Sequence, residues 1–206
     1  ERLCKSDIAR NGSSVYRING MGVNLESFDN SFSEQQRSEI SNELTIPLGQ
    51  IVVLCVAWLT PEKGVYLFLE AARKICLHRN DISFLLAGSG PEMKKLKKLC
   101  SNYWIEDRFK ILGWRNDINK LMRYSDIFVL PSYYFEGLPV SILEAMACGK
   151  PVITTRHRGC QDAVLDSATG FLVPIKQIEP IIEKIIFLAD NTLTCRKMGL
   201  AGRKRV

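Results

Sequence analysis

Short apolar runs alternate with amphipathic patterns along almost the whole chain, and this alternation restricts the fold more than any other feature of the sequence. Several runs are continuous stretches of Val, Ile, Leu and Phe, as expected for strands that helices cover on both faces. Strands are predicted at 15–18, 51–57, 82–87, 108–112, 126–130, 151–154 and 170–173, and helices at 33–44, 64–78, 91–101, 116–124, 138–148, 176–190 and 192–202. Such repeated β-α-β units predict an α/β fold, a doubly wound (Rossmann-like) parallel sheet.

Ligands of doubly wound sheets bind beyond the carboxyl ends of the strands. Four segments rich in glycine, proline and polar residues directly follow predicted strands, at 60–64, 88–91, 113–116 and 131–139. The sequence therefore predicts a ligand site where these segments meet.

Composition is that of a folded domain. The length of 206 residues suits one ordinary domain or one with an appendage, and 46% hydrophobic with 24% charged residues argues against disorder. The net charge is +6, and part of it comes from a predicted lysine-rich helix, which forms either a solvated face or a surface for anionic lipid. No segment resembles a nucleic-acid-binding module. Seven scattered cysteines without a C-x-x-C pair favour a reducing cytosol and provide no zinc site.

The run from Leu130 to Pro151 places Glu136 and Glu144 eight residues apart around the start of a predicted helix. Its Gly-Leu-Pro segment suits the first helical turn, so Glu136 should lie just outside the positive end and Glu144 two turns along. Free amides at a helix start suit a phosphate, and nearby carboxylates can accept hydrogen bonds from sugar hydroxyls. The simpler alternative is a glutamate that complements the helix dipole and a second one that is merely solvated.

This run, EGLPVSILE within the frame PS–EGLP–EAMACGKPVI, closely resembles the retaining glycosyltransferases of the GT-B architecture, family 4 (group 1), whose signature is two glutamates separated by seven residues. Five further blocks match the same family in the expected order, so the resemblance covers nearly the whole chain. They are INGMGVNLESF (18–28), CVAWLTPEKGVYLFLEAARKI (55–75), FLLAGSGPE (84–92), ILGWRNDI (111–118) and GCQDAVLDSATGFLVP (159–174).

The resemblance implies the C-terminal, donor-binding half of a GT-B enzyme. Residues 1–20 then correspond to the end of an interdomain linker and residues 21–206 to the nucleotide-sugar-binding domain, while the N-terminal acceptor domain is absent from this sequence. We expect a chain of this kind to bind the donor and to transfer little or no sugar alone.

The family's functional residues carry over onto matching positions. The resemblance implies that Glu136 is catalytic, near the transferred sugar, and that Glu144 binds the donor ribose. Lys63 would hold the diphosphate: a lysine taken alone is more often a solvated loop residue, but its T-P-E-K-G context favours the functional role. The further donor-binding residues predicted on this basis are Arg115, Gly137, Leu138, Val140 and Ser141.

Trp58 departs from the family pattern, which usually has an arginine five positions before the lysine to share the diphosphate. Three consequences are open: weaker donor binding, replacement by Arg115 from a neighbouring loop, or a degenerate site. Trp114, which directly precedes Arg115, lies where the family packs the nucleotide base. Alternatively, Trp114 only covers the edge of the sheet.

The implied activity is retaining, hexosyltransferase-type transfer of a sugar from a nucleotide diphosphate sugar to a glycan or lipid-linked acceptor, in surface polysaccharide synthesis. No cofactor and no obligatory metal are expected, and the predicted location is the cytoplasm, with peripheral contact of the full-length protein with the inner membrane face left open. The alternative is a non-catalytic nucleotide-sugar-binding or interaction module of the same fold. A sugar-nucleotide epimerase is a third, less favoured reading, because the glutamate pair fits the transferases better.

Overall fold

The computed structural model describes residues 22–28, 32–134 and 137–206. Its strands are β1 (Ile51–Val56), β2 (Ile82–Ala87), β3 (Phe109–Gly113), β4 (Ile127–Leu130), β5 (Val152–Thr155) and β6 (Gly170–Val173). The helices are α1 (Glu34–Leu44), α2 (Val65–Cys76), α3 (Met93–Asn102), α4 (Ile118–Tyr124), α5 (Val140–Ala147), α6 (Cys160–Ala163), α7 (Glu179–Asp190) and α8 (Thr192–Arg205). Two short 3-10 helices cover Leu25–Phe28 and Pro61–Lys63.

The strands form one parallel sheet in the order β3-β2-β1-β4-β5-β6. The chain winds outward from β1 in one direction and from β4 in the other, and right-handed crossovers then place the two sets of helices on opposite faces. Accordingly α2 packs against α3 and α7, whereas α5 packs against α4, α6 and α8. The winding direction reverses between β1 and β4, and a crevice opens there at the carboxyl edge.

The core lies between the sheet and these helices. β2 and β4 are buried along their whole length, which explains their unbroken apolar sequences. Phe68 on α2 meets Phe84 edge-on with ring centroids 5.8 Å apart, and it contacts Phe109 at 5.6 Å. This aromatic cluster joins α2 to two neighbouring strands.

The predicted fold class, a doubly wound parallel sheet, is confirmed, and the strands predicted from residue 51 onward all form. The predicted strand at 15–18 and the linker at 1–20 lie outside the described residues, so the domain boundaries stay predictions. The sequence reading missed α6, whose 4 residues are too few for a helical period, and it ended α8 too early. None of the six cysteines that the structure describes forms a disulfide bond, and no described helix is both long and apolar enough to cross a bilayer.

The start of α5 corrects one prediction. Pro139 has φ −63° and ψ 114°, an extended conformation, so it precedes the helix as its N-cap and does not form part of the first turn. Glu144 is consequently the fifth residue of α5, little more than one turn into the helix, and not two turns along.

Candidate functional site

A cavity of about 280 Å³ lies at the carboxyl edge of the sheet, where the winding direction reverses between β1 and β4. Three segments form its walls: the end of β1 with the loop after it, the end of β4, and the first turn of α5. The lining residues are Val56, Ala57, Trp58, Lys63, Leu130, Pro139, Val140 and Ser141. The cavity therefore unites one lysine side chain with the start of a helix.

The first turn of α5 leaves backbone amides available. Pro139 has no N–H and its side chain cannot cap, while its carbonyl accepts hydrogen bonds from Ile142 N at 3.0 Å and Leu143 N at 3.3 Å. Within the described residues no hydrogen bond engages the amides of Val140 and Ser141, both of which line the cavity. Free amides and the positive end of the helix dipole favour a negatively charged ligand here.

Lys63 is held at the cavity by a short turn after β1. Its amide donates to the carbonyl of Thr60 at 3.2 Å, and the side-chain Nζ lies 5.2 Å from the ring centroid of Tyr134. The carbonyl of Glu62 accepts bonds from Tyr133 N at 2.9 Å and from Ser132 Oγ at 3.3 Å. The turn is thus fastened to the loop after β4, which fixes the lysine relative to α5.

Gly64 permits the close approach of these two loops. It has φ +74°, a conformation that favours glycine, and it is the N-cap of α2. A Cβ at this position would lie 2.1 Å from the carbonyl oxygen of Pro131. Only glycine fits between the turn that carries Lys63 and the backbone that follows β4.

Glu144 is half-buried on α5, and burial raises the pKa of its carboxyl above the ordinary value. No hydrogen bond or ion pair engages this carboxylate within the parts of the chain that the structure describes. Glu144 is not among the residues that line the cavity, and its donor-binding role stays a prediction.

Arg115 does not line the cavity. Its guanidinium donates to both carboxylate oxygens of Asp117, at 2.8 and 2.7 Å, and to Glu43 on α1 at 2.6 Å. The hydrogen bonds from Arg115 hold the pKa of the Asp117 carboxyl below its ordinary value. The donor-binding role of Arg115 therefore stays a prediction, and the structure places the side chain in an ion-pair cluster between α1 and α4.

Trp58 occupies a wall of the cavity with 58% of its surface exposed, whereas Trp114, 73% exposed, does not line it. Of the other predicted residues, Gly137 and Leu138 precede Pro139, the N-cap of α5, and do not line the cavity, while Glu136 lies outside the described residues. The sequence reading missed the apolar walls formed by Val56, Ala57 and Leu130. Their position at predicted strand ends was the signal that could have found them.

Two threonines on β5, also missed, stabilise the loop after β4. Thr154 Oγ1 donates to the carbonyl of Leu130 at 2.7 Å, and Thr155 Oγ1 donates to the carbonyl of Ser132. Both threonines are fully buried, so these hydrogen bonds position one wall of the cavity from beneath.

Comparison with known proteins gives a consistent family match. The family model described as "Glycosyl transferases group 1" matches residues 36–205. The chain is 33% identical over 174 residues to the UDP-Gal:alpha-D-GlcNAc-diphosphoundecaprenol alpha-1,3-galactosyltransferase of Escherichia coli, covering 82% of this chain and 44% of that protein. It is also 33% identical over 175 residues to the N,N'-diacetylbacillosaminyl-diphospho-undecaprenol alpha-1,3-N-acetylgalactosaminyltransferase of Campylobacter jejuni, covering 84% and 45%.

Solved structures agree in fold. A glycosyltransferase from Rickettsia africae superposes with a TM-score of 0.81 at 25% identity, covering 89% of this chain and 50% of that one. The C-terminal domain of the group 1 glycosyl transferase LpcC from Francisella tularensis gives 0.77 at 25% identity and covers 90% and 96%. This chain therefore spans less than half of the first curated relatives, 44% and 45%, but nearly the whole of a C-terminal domain that crystallised alone.

Proposed function

This chain belongs to the group 1 glycosyltransferases, and from that premise we propose that it is the donor-binding half of a retaining enzyme. The donor would be a nucleotide diphosphate sugar, and the acceptor a glycan or a lipid-linked sugar in surface polysaccharide synthesis. One observation supports this proposal above the others: Lys63 and the uncapped first turn of α5 line the same cavity, at the position where doubly wound sheets bind ligands.

Each described residue has a distinct part in this proposal. Lys63 and the amides of Val140 and Ser141 would bind the diphosphate and stabilise the negative charge that it gains as the sugar leaves. Glu144 would accept hydrogen bonds from the ribose hydroxyls. Glu136, at the first position of the family signature, is proposed to act beside the transferred sugar.

The activities named for the two relatives guide the choice of ligand and acceptor. The Escherichia coli relative takes a galactose from UDP to a diphosphoundecaprenol-linked sugar, and the Campylobacter jejuni relative also acts on a diphospho-undecaprenol compound. We therefore propose a lipid-linked acceptor and test uridine first as the base. The second domain would supply the acceptor site, so the chain alone should transfer little sugar from a bound donor.

Donor binding is proposed to need no metal, because a lysine and a helix N-terminus already supply positive charge to the diphosphate. A UDP titration in EDTA should then give the same affinity as one in excess MgCl2. A UDP affinity that rises by more than about tenfold with Mg²⁺ would contradict this part of the proposal.

The cytoplasm, where free thiols persist, is the proposed location.

Calorimetric titration with UDP, GDP and their common sugars tests the proposed function directly. We expect one of the two nucleotides to bind, and Glu144→Ala to weaken that binding by about 1–3 kcal/mol, as for a lost charged hydrogen bond. Failure of every nucleotide to bind at millimolar concentration, with a folded sample, would remove the donor-binding proposal. The non-catalytic interaction module would then be the better reading, since Trp58 stands where a cation usually shares the diphosphate.

Replacing Trp58 with arginine should strengthen UDP binding about tenfold, or about 1.4 kcal/mol, because a second cation would face the diphosphate from the cavity wall. Trp104→Arg is the matched control: it introduces the same change at an exposed tryptophan outside the cavity lining. Calorimetry on both variants measures the difference. An equal gain in the two variants would indicate only general charge attraction, and no gain at Trp58 would contradict the predicted position of the diphosphate.

Affinity for a UDP-sugar should fall as the pH falls, because the ribose is proposed to bind the ionised form of Glu144. Burial raises the pKa of this carboxyl, so protonation and loss of affinity should begin at a higher pH than for an ordinary glutamate, whose pKa is about 4.3. A UDP-sugar is the suitable ligand, since its phosphate diesters stay ionised throughout. Glu144→Gln should bind more weakly and lose this pH dependence, and an unchanged slope in the variant would assign the titration to another group.

A further inference from the structure

A second cavity, of about 310 Å³, lies at the amino edge of the sheet, at the opposite pole from the proposed donor site. It opens between the starts of β1, β4 and β5 and the first turn of α8. Ile51, Ile127 and Pro151 mark the three strand starts in its lining. No residue that lines the donor cavity also lines this one, so the two cavities are separate.

Three cationic side chains converge on this cavity from separate parts of the chain. Arg37 comes from α1, Lys150 from the turn after α5, and Arg196 from α8. Asp126 is the single carboxylate among the lining residues. Positive charge therefore exceeds negative charge among the residues that line this cavity, which favours an anionic ligand.

Asp126 does not neutralise the cluster. Its Oδ2 accepts a hydrogen bond from Val52 N at 2.8 Å, and Arg37 Nη2 lies 3.6 Å away, a long ion pair. Arg37 also donates to the carbonyl of Tyr124 at 3.1 Å. Arg196 makes no hydrogen bond or ion pair within the part of the chain that the structure describes, and its side chain is exposed.

Lys150 is partly buried, in contrast to the exposed Arg196. Its Nζ donates one hydrogen bond, to the carbonyl of Arg123 at 2.9 Å, although an ammonium has three donors. Burial lowers the pKa of Lys150, which reflects the cost of keeping this charge out of water. An anion in the cavity would offset that cost.

The start of α8 adds backbone donors. Asn191 provides no side-chain cap, and its side-chain Nδ2 donates to the carbonyl of Phe187 at 2.8 Å. The amides of the first turn, beginning at Thr192 in the cavity lining, therefore have no side-chain cap. These backbone amides add hydrogen-bond donors to the positive charge that the three cationic side chains supply.

We propose that this amino-edge cavity binds a small phosphate-bearing anion through Arg196, Lys150 and the first turn of α8. All three groups belong to the lining of the same cavity, and Arg37 is a further cation in that lining. A phosphate can accept hydrogen bonds from a planar guanidinium, from a compact ammonium group and from backbone amides together.

Titration of the isotope-labelled chain with inorganic phosphate at constant ionic strength, followed by amide NMR, tests this proposal. The amides of Thr192 and Leu193 should shift with saturation in the millimolar range. Arg196→Gln should weaken that binding about tenfold or more, as expected for loss of a charge-assisted hydrogen bond, without changing the affinity for UDP. Lys197→Gln is the matched control, because it removes the same charge from the next, exposed residue of α8, which lies outside the lining.

Phosphate also fits the proposed donor site, so Lys63→Ala separates the two: it should leave the α8 shifts unchanged. Equal weakening by Arg196→Gln and Lys197→Gln, or no saturable shift on α8, would overturn the proposal. Vesicles of phosphatidylglycerol distinguish the source of the phosphate. If the chain is retained on these vesicles and inorganic phosphate releases it, the ligand is a lipid headgroup. If the chain binds inorganic phosphate but is not retained on the vesicles, the ligand is a soluble phosphate.

Discussion

Replacing Lys63 with alanine should weaken UDP binding by about 2–3 kcal/mol, or about 30- to 150-fold. Lys63 is the charged side chain that lines the donor cavity, and the first turn of α5 opposite it contributes only partial charges. The lost binding energy should come from contacts with the diphosphate. Lys63→Ala should therefore also weaken the binding of pyrophosphate to this cavity, because pyrophosphate has neither base nor ribose. Calorimetry with UDP and with pyrophosphate measures both effects.

Lys95→Ala is the matched control for this prediction. Lys95 Nζ lies 5.0 Å from the ring centroid of Tyr66, much as Lys63 Nζ lies 5.2 Å from that of Tyr134, but Lys95 is outside the cavity lining. Both variants lose one positive charge and one contact with an aromatic ring. If the two variants bind UDP equally well, the diphosphate does not contact Lys63 and the proposed site is wrong.

Replacing Gly64 with alanine should destabilise the fold by about 3 kcal/mol or more. Positive φ alone costs a non-glycine residue about 1 kcal/mol, and the added Cβ would also collide with the Pro131 carbonyl, 2.1 Å away. Backbone on both sides of this contact must move, because neither partner is the end of a flexible side chain. Urea denaturation at equilibrium measures the change in the free energy of unfolding.

Gly49→Ala separates the two contributions. Gly49 has φ +88°, close to that of Gly64, but a Cβ there would have nothing within 4 Å. We therefore expect Gly49→Ala to cost only the conformational part, about 1 kcal/mol. Similar costs at the two positions would show that the loops after β1 and β4 are not locked together as the structure indicates.

The strands and their order along the chain could be predicted because buried parallel strands leave an unbroken apolar signature, as in Ile82–Ala87. Helix ends were harder. Pro139 suits either the first turn of a helix or the residue before it, and only its backbone angle decides which. That one-residue distinction moved Glu144 from two turns along the helix to little more than one.

The candidate site was predictable where it depends on local sequence and not where it depends on packing. Lys63, Val140 and Ser141 were predicted because each lies in a local segment that resembles the family, and the pairing of β1 with β4 brings these segments to one cavity. The ion pair between Arg115 and Glu43 joins residues 72 positions apart, and no local pattern indicates it. The amino-edge cavity likewise assembles Arg37, Lys150 and Arg196 from distant segments, so the sequence alone offered no signal for it.

The most direct test of the central claim is the crystal structure of this chain with UDP bound. We predict that the diphosphate lies at the junction of β1 and β4, with its oxygens about 3 Å from Lys63 Nζ and from the amides of Val140 and Ser141, and with the ribose towards Glu144. A diphosphate bound elsewhere, for example in the amino-edge cavity beside Arg196, with the β1–β4 cavity unoccupied, would contradict the proposed donor site.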